Sequence, residues 1–106
     1  MIKVAFHPDA EAELENARTW YRERNQIAGR AFVGEVLSAL RSIAEAPEAW
    51  PRTRANERRF VFKRFPYSII YRLRENEVFV TAIAHQGGVQ ITGAAVGDGG
   101  RLIQLH

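Results

Sequence analysis

Among the basic side chains, Lys63, Arg64 and Arg72 can hold an anionic group, and His85 is the proton-transfer candidate at neutral pH near the expected sheet. Arginine offers forked donors to an anion and lysine a point charge, and a histidine can move a proton at neutral pH. His85 also fits a plainer role, closing a strand against a backbone partner. The other two histidines are simpler: His7 flanks Pro8, and His106 is terminal. The sequence has no Gly-rich phosphate loop, no metal-ligand spacing and no Ser–His–Asp pattern. Lacking cysteine, it can form neither a disulfide nor a thiolate zinc site. No metal and no cofactor is expected.

Three of these candidates, Lys63, Arg64 and Arg72, sit in a strongly basic stretch. From Arg52 to Arg74 there are eight basic residues and one acid, Glu57, so the stretch carries +7 while residues 1–51 and 75–106 each sum to −2. Of the 15 basic residues 13 are arginine, which favours forked contacts to phosphate or carboxylate over point charges. A polyanion and an acidic protein partner suit that bias equally. The residues expected to form a binding surface are Arg58, Arg59, Lys63, Arg64, Tyr67, Tyr71 and Arg72. Tyr67 and Tyr71 share one side of their strand, where they can stack on a base or on apolar groups of a partner, or pack in the core. A solvated sheet face that keeps strand edges apart is the alternative for the cations.

The elements that must hold these residues can be read from periodicity. Ile2 to Phe6 reads as a short strand. Pro8 and the acids Asp9, Glu11 and Glu13 suit a helix start, and Ala10, Leu14, Ala17 and Tyr21 recur at helical spacing to about Arg24. A connection over Asn25 to Gly29 leads to a second helix marked by Ala28, Phe32, Val36, Leu40 and Ile43, which stops before Pro47. Phe60 and Phe62 alternate with Arg59, Val61 and Lys63, a turn at Phe65-Pro66 follows, and Tyr67 to Leu73 resumes the strand. Glu75 to Glu77 turns into a last strand, Val78 to His85, apolar enough to be central. Trp20 is expected in the core, and Trp50, between two prolines, as a lid over a helix end. The fold class is α+β, in the order β-α-α-β-β-β, a helical hairpin packed on a small antiparallel sheet. The length suits one domain, residues 1–85, followed by a Gly-rich tail, residues 86–106. No apolar run nears the ~20 residues that span a bilayer, and no signal peptide is evident, so a cytoplasmic location is expected.

In this order the motifs resemble the RelE/ParE superfamily of type II toxin–antitoxin toxins, in its ParE-like branch. They are Ala10-x-x-x-Leu14, Trp20-Tyr21, Ala46-Pro47-x-x-Trp50-Pro51, Arg58-Arg59-Phe60, Arg64-Phe65-Pro66-Tyr67-Ser68-Ile69-x-Tyr71-Arg72 and Ala82-x-Ala84-His85. The resemblance implies a toxin neutralised by a cognate antitoxin from the same operon, whose C-terminal segment wraps it as helix and extended strand. It also implies one of two activities: inhibition of DNA gyrase, or ribosome-dependent mRNA cleavage with Lys63, Arg64, Arg72 and His85 in the catalytic roles. Phe65 to Ser68 and Trp50-Pro51 favour the gyrase-type branch, and with it a protein that is not an enzyme. Oligomeric state is not implied.

After His85 the family pattern of basic residues, a proline and Tyr-Trp is replaced by a glycine-rich run. Synonymous codons for residues 87–95, read with each third base joined to the next two, allow Arg-Arg-Pro-Asp-Tyr-Trp-Arg-Ser. The tail is therefore read as out of frame with its ancestor, and third bases incompatible with that frame in the gene would refute this. A third function follows from the altered tail: a detoxified remnant that still binds antitoxin.

Overall fold

The structure, a computed structural model, describes residues 2–86. The tail set apart above, residues 86–106, lies outside the described residues except for Gln86. Strand β1 (Lys3–Phe6) leads to helices α1 (Pro8–Arg24) and α2 (Gln26–Glu45), and then to strands β2 (Arg52–Arg54), β3 (Glu57–Val61), β4 (Tyr67–Arg74) and β5 (Glu77–His85). The strands form one sheet in the order β1-β5-β4-β3-β2. All neighbours are antiparallel except β1, which runs parallel to β5 in a register from Lys3 opposite Glu77 to Phe6 opposite Val80.

Local chemistry explains where the helices start and stop. His7 caps α1, its Nδ1 accepting from the Asp9 N–H at 3.0 Å, with Pro8 at the first helical position. Its structural reading therefore holds. The expected five-residue link between the helices is a single residue, Asn25. Its backbone N–H closes α1 on the Tyr21 carbonyl, while its Oδ1 accepts from Ile27 and Ala28 to open α2. An extended asparagine with a short acceptor side chain can serve both ends at once. So tight a hairpin brings the helix backbones together at Gly29, where an added Cβ would sit 2.9 Å from Arg22 Cα.

The sheet adds one strand to the sequence reading. Arg52–Arg54 pairs with β3 through a tight turn at Ala55, whose φ is +37°. Charge at both outer positions of this short edge strand hides any alternation. β5 lies between β1 and β4, as its apolar run requires. Opposite β4 it bulges at Thr81: Ile70 faces Ala82 while Tyr71 faces Val80, and Thr81 Oγ1 donates to the Ile70 carbonyl at 3.2 Å. The bulge switches the inward residues from Val78 and Val80 to Ile83.

Both helices cover one face of the sheet. Phe32, fully buried, stacks on Tyr21 at 5.1 Å and meets Phe65, Tyr67 and Phe62 at 5.3, 5.5 and 6.1 Å. Val36, Ala39 and Ile43 continue the same stripe into the core. Trp20 departs from expectation. Trp20 is 38% exposed, with the Arg24 guanidinium over its ring at 3.9 Å, because the inward helical phase belongs to Ala17 and Tyr21. Trp50, partly buried against the core, sits edge-on to Phe60 of β3 at 4.7 Å.

Candidate partner-binding surfaces

The β3–β4 hairpin has two faces, and the register assigns its residues to them. Phe60 pairs with Ile69 and Arg58 with Tyr71, whereas Arg59 pairs with Ile70 and Val61 with Ser68. Phe62 and Tyr67 touch Phe32 of α2, so Arg58, Phe60, Phe62, Tyr67, Ile69 and Tyr71 face the helices. Arg59, Val61, Ser68, Ile70 and Arg72 face away from them.

On the helix-facing side the expected binding residues have structural work. Arg58 Nη1 donates to the carbonyls of Trp50 at 2.8 Å and Glu48 at 3.1 Å, and Tyr71 donates its hydroxyl to the Pro47 carbonyl at 2.6 Å. Together they tie the proline-flanked connector to the sheet. Burial pushes the Tyr71 pKa up to about 12, against a smaller opposing effect of Arg58. Tyr67 is also in the core, its pKa raised by burial and by Tyr21. Neither ring is presented to a partner.

The turn between the strands is clamped to α2. The Glu35 carboxylate accepts from the backbone N–H of Lys63, from that of Arg64 at 3.0 Å and from Arg64 Nε at 3.2 Å. Burial by itself would raise the Glu35 pKa. Those donors and the Arg64 charge outweigh it and hold the carboxyl below its usual value. The sequence held a signal for this contact: Glu35 is the one acid among Phe32, Val36 and Ala39 on the inward side of α2, and a shielded acid needs donors.

The four candidates for phosphodiester chemistry do not converge. Lys63 and Arg64 lie in the turn, and Arg72 is five residues along β4 from Tyr67, about 16 Å at ordinary strand rise. His85 pairs with Tyr67 on the helix-facing side, its ring edge-on to Tyr67 at 5.0 Å, and Arg72 is on the other face.

Two surfaces remain open. On the sheet's outer face Arg59 and Arg72 are exposed diagonal neighbours flanking Ile70, and neither has an ion-pair partner among the described residues. Arg74 is engaged, paired with Glu77 at 2.7 Å and stacked on Phe79 at 3.8 Å. On the helical side a groove of about 590 Å3 runs between α1 and α2, floored by Leu14, Val33, Val36 and Leu40 and edged by Glu11, Glu15 and Arg18. Leu37, at 54% exposure, stands in it. Sequence reasoning passed over Val33 and Leu37, which continue the α2 apolar stripe beyond what the core needs.

The family model for the ParE toxin of the type II toxin–antitoxin system, parDE, matches residues 4–89. The chain belongs to the ParE toxin family. Among solved structures it is similar to a chain described as the chromosomal ParDE TA system from P. aeruginosa, with a TM-score of 0.68 and 17% identity over 80% of this chain and 96% of that one. At that identity the likeness is one of fold: two helices on one face of a sheet, in the order described above. No curated protein matches the chain. Among the described residues no helix of this ParE-family toxin is long and apolar enough to cross a membrane.

Proposed function

We propose that this ParE-family chain acts by binding, as an inhibitor of DNA gyrase, and that a cognate antitoxin from the same operon neutralises it. The groove between α1 and α2 carries the antitoxin part of this reading. Its apolar floor, exposed Leu37 and polar edges suit one face of an amphipathic helix, whose side chains at i, i+3, i+4 and i+7 fill such a channel. The non-catalytic part is supported by the dispersal of Lys63, Arg64, Arg72 and His85, since ribosome-dependent cleavage needs its charge-stabilising and proton-transfer groups within reach of one phosphate.

Inducing the gene alone and with its neighbouring antitoxin gene tests this. Growth arrest with loss of gyrase supercoiling activity, relieved by the partner, is expected. Arrest with mRNA cleavage would move the chain to the nuclease reading. Normal growth with retained antitoxin binding would make it the detoxified remnant. Leu37→Glu is expected to weaken antitoxin binding at least about tenfold by placing a charge in the apolar channel.

A further inference from the structure

The two edges of the sheet differ in charge. β2 carries Arg52 and Arg54, both exposed, so a strand laid along it meets a cation at either end. β1 has no such guard: Lys3 is its only charge, and Val4, Ala5 and Phe6 follow without one. The N–H groups of Lys3 and His7 point into the sheet, donating to the Asn76 and Val80 carbonyls at 3.3 and 2.8 Å. Backbone groups alternate along a strand, so those of Val4 and Phe6 point out from the edge, where β1 has no neighbouring strand among the described residues. Val4 lies opposite Val78 and Phe6 opposite Val80, both in the core, so Ile2, Val4 and Phe6 share the helix-facing side. Val4 nevertheless stays 36% exposed.

We propose that the β1 edge pairs antiparallel with the β1 edge of a second copy of this chain, joining two five-stranded sheets across a twofold axis. What selects a second copy is that the strand is complementary to itself. With Val4 on the axis, Val4 exchanges both backbone bonds with its own counterpart, and Ile2 lies opposite the second copy's Phe6 on either side. Every facing pair on the helix side is then apolar. On the outer side Lys3 lies opposite Ala5, so no charge faces a like charge. The same operation on β2, with Thr53 on the axis, sets Arg52 against Arg54. So short a contact buries less than stable dimers use, and the pairing is therefore a monomer–dimer equilibrium rather than an obligate dimer. The edge uses the backbone of Phe6, whereas the helical groove assigned to the antitoxin uses its side chain, and the pairing does not depend on that assignment.

Sedimentation velocity of the full chain without antitoxin, from low to high micromolar concentration, tests the pairing, and a dimer that grows with concentration is expected. Val4→Cys tests the register, because the chain has no cysteine of its own. Facing residues in such a pair have Cα atoms about 5.5 Å apart, within reach of a disulfide. Mild oxidation should therefore cross-link Val4→Cys and leave Thr53→Cys, on the β2 edge, monomeric. Val4→Lys sets two cations together on the axis and should raise the dimer dissociation constant at least about tenfold, whereas Thr53→Lys should match the parent. Thermal unfolding checks that Val4→Lys is folded. If it is not, hydrogen exchange in the parent decides: the Val4 and Phe6 amides should exchange more slowly as concentration rises. A parent that stays monomeric throughout, equal cross-linking of the two cysteine variants, or a dimer lost in Leu37→Glu but kept in Val4→Lys would each overturn the proposal. So would protection of the Val4 and Phe6 amides that appears only with antitoxin bound, which would give the edge to the antitoxin instead.

Discussion

Arg58 and Arg59 are adjacent in the chain and chemically identical, yet β3 sends them to opposite sides of the sheet. Arg58 ties two connector carbonyls to the strand, whereas Arg59 reaches no carboxylate of the described chain. The same division runs along β4. Tyr67, Ile69 and Tyr71 are core, while Ser68, Ile70 and Arg72 form the outer face. A basic stretch of +7 is therefore not one binding face. Part of it fastens the sheet to the helices and their connector, and only the part facing away is available to a partner. Net charge reports the presence of cations; the strand period decides their use.

The comparison can be broken most forcefully on the helix-facing side. Phe32 is fully buried among Tyr21, Phe62, Phe65 and Tyr67, so Phe32→Ala should cost about 3–5 kcal/mol in chemical denaturation. A near-neutral result would mean that the aromatic cluster does not anchor the hairpin to α2, and the two faces would then be equivalent.

Glu35 sharpens the same contrast through pH. Its pKa is held below the ordinary 4.5 in the folded chain, so its contribution is present above that value and is lost as pH falls through the lowered folded value. Glu35→Gln should cost about 1.5–3 kcal/mol at neutral pH, in line with hydrogen bonds to a charged group. The gap between parent and variant should narrow as acid titrates the parent below about pH 4.5. A gap constant from neutral pH down to acid would show that the ionised carboxylate is not what clamps the turn.

Much of this architecture was legible in the chain, because helices and central strands announce themselves by the spacing of apolar residues. The two helices, β4 and β5 were read close to their observed bounds. The strand Arg52–Arg54 was not, since its two arginines mask any apolar period, and the link at Asn25 was read too long because a capping asparagine looks like a loop residue. The grouping of Arg58 with Arg59 as one surface ignored a signal in hand. Phe60 and Phe62 set the inward phase of β3, and Arg58 shares that phase. Tyr67 and Tyr71 share theirs with Ile69. Contacts such as Glu35 with the Lys63–Arg64 turn join residues 28 and 29 positions apart, and no local pattern encodes their distance.

The finest test compares the two neighbouring arginines directly. Arg58→Ala removes the donor to the Trp50 and Glu48 carbonyls and should destabilise the chain by about 1–3 kcal/mol, with Trp50 fluorescence reporting a loosened connector. Arg59→Ala removes an exposed side chain with no ion pair among the described residues and should stay within about 0.5 kcal/mol of the parent. Binding to an acidic partner should reverse that order, with Arg59→Ala losing affinity and Arg58→Ala affecting it only through the fold. Equal destabilisation by the two changes would contradict the division of the hairpin. Equal loss of binding at unchanged stability would return both arginines to a single surface, and the strand period would then have failed to separate structural from available charge.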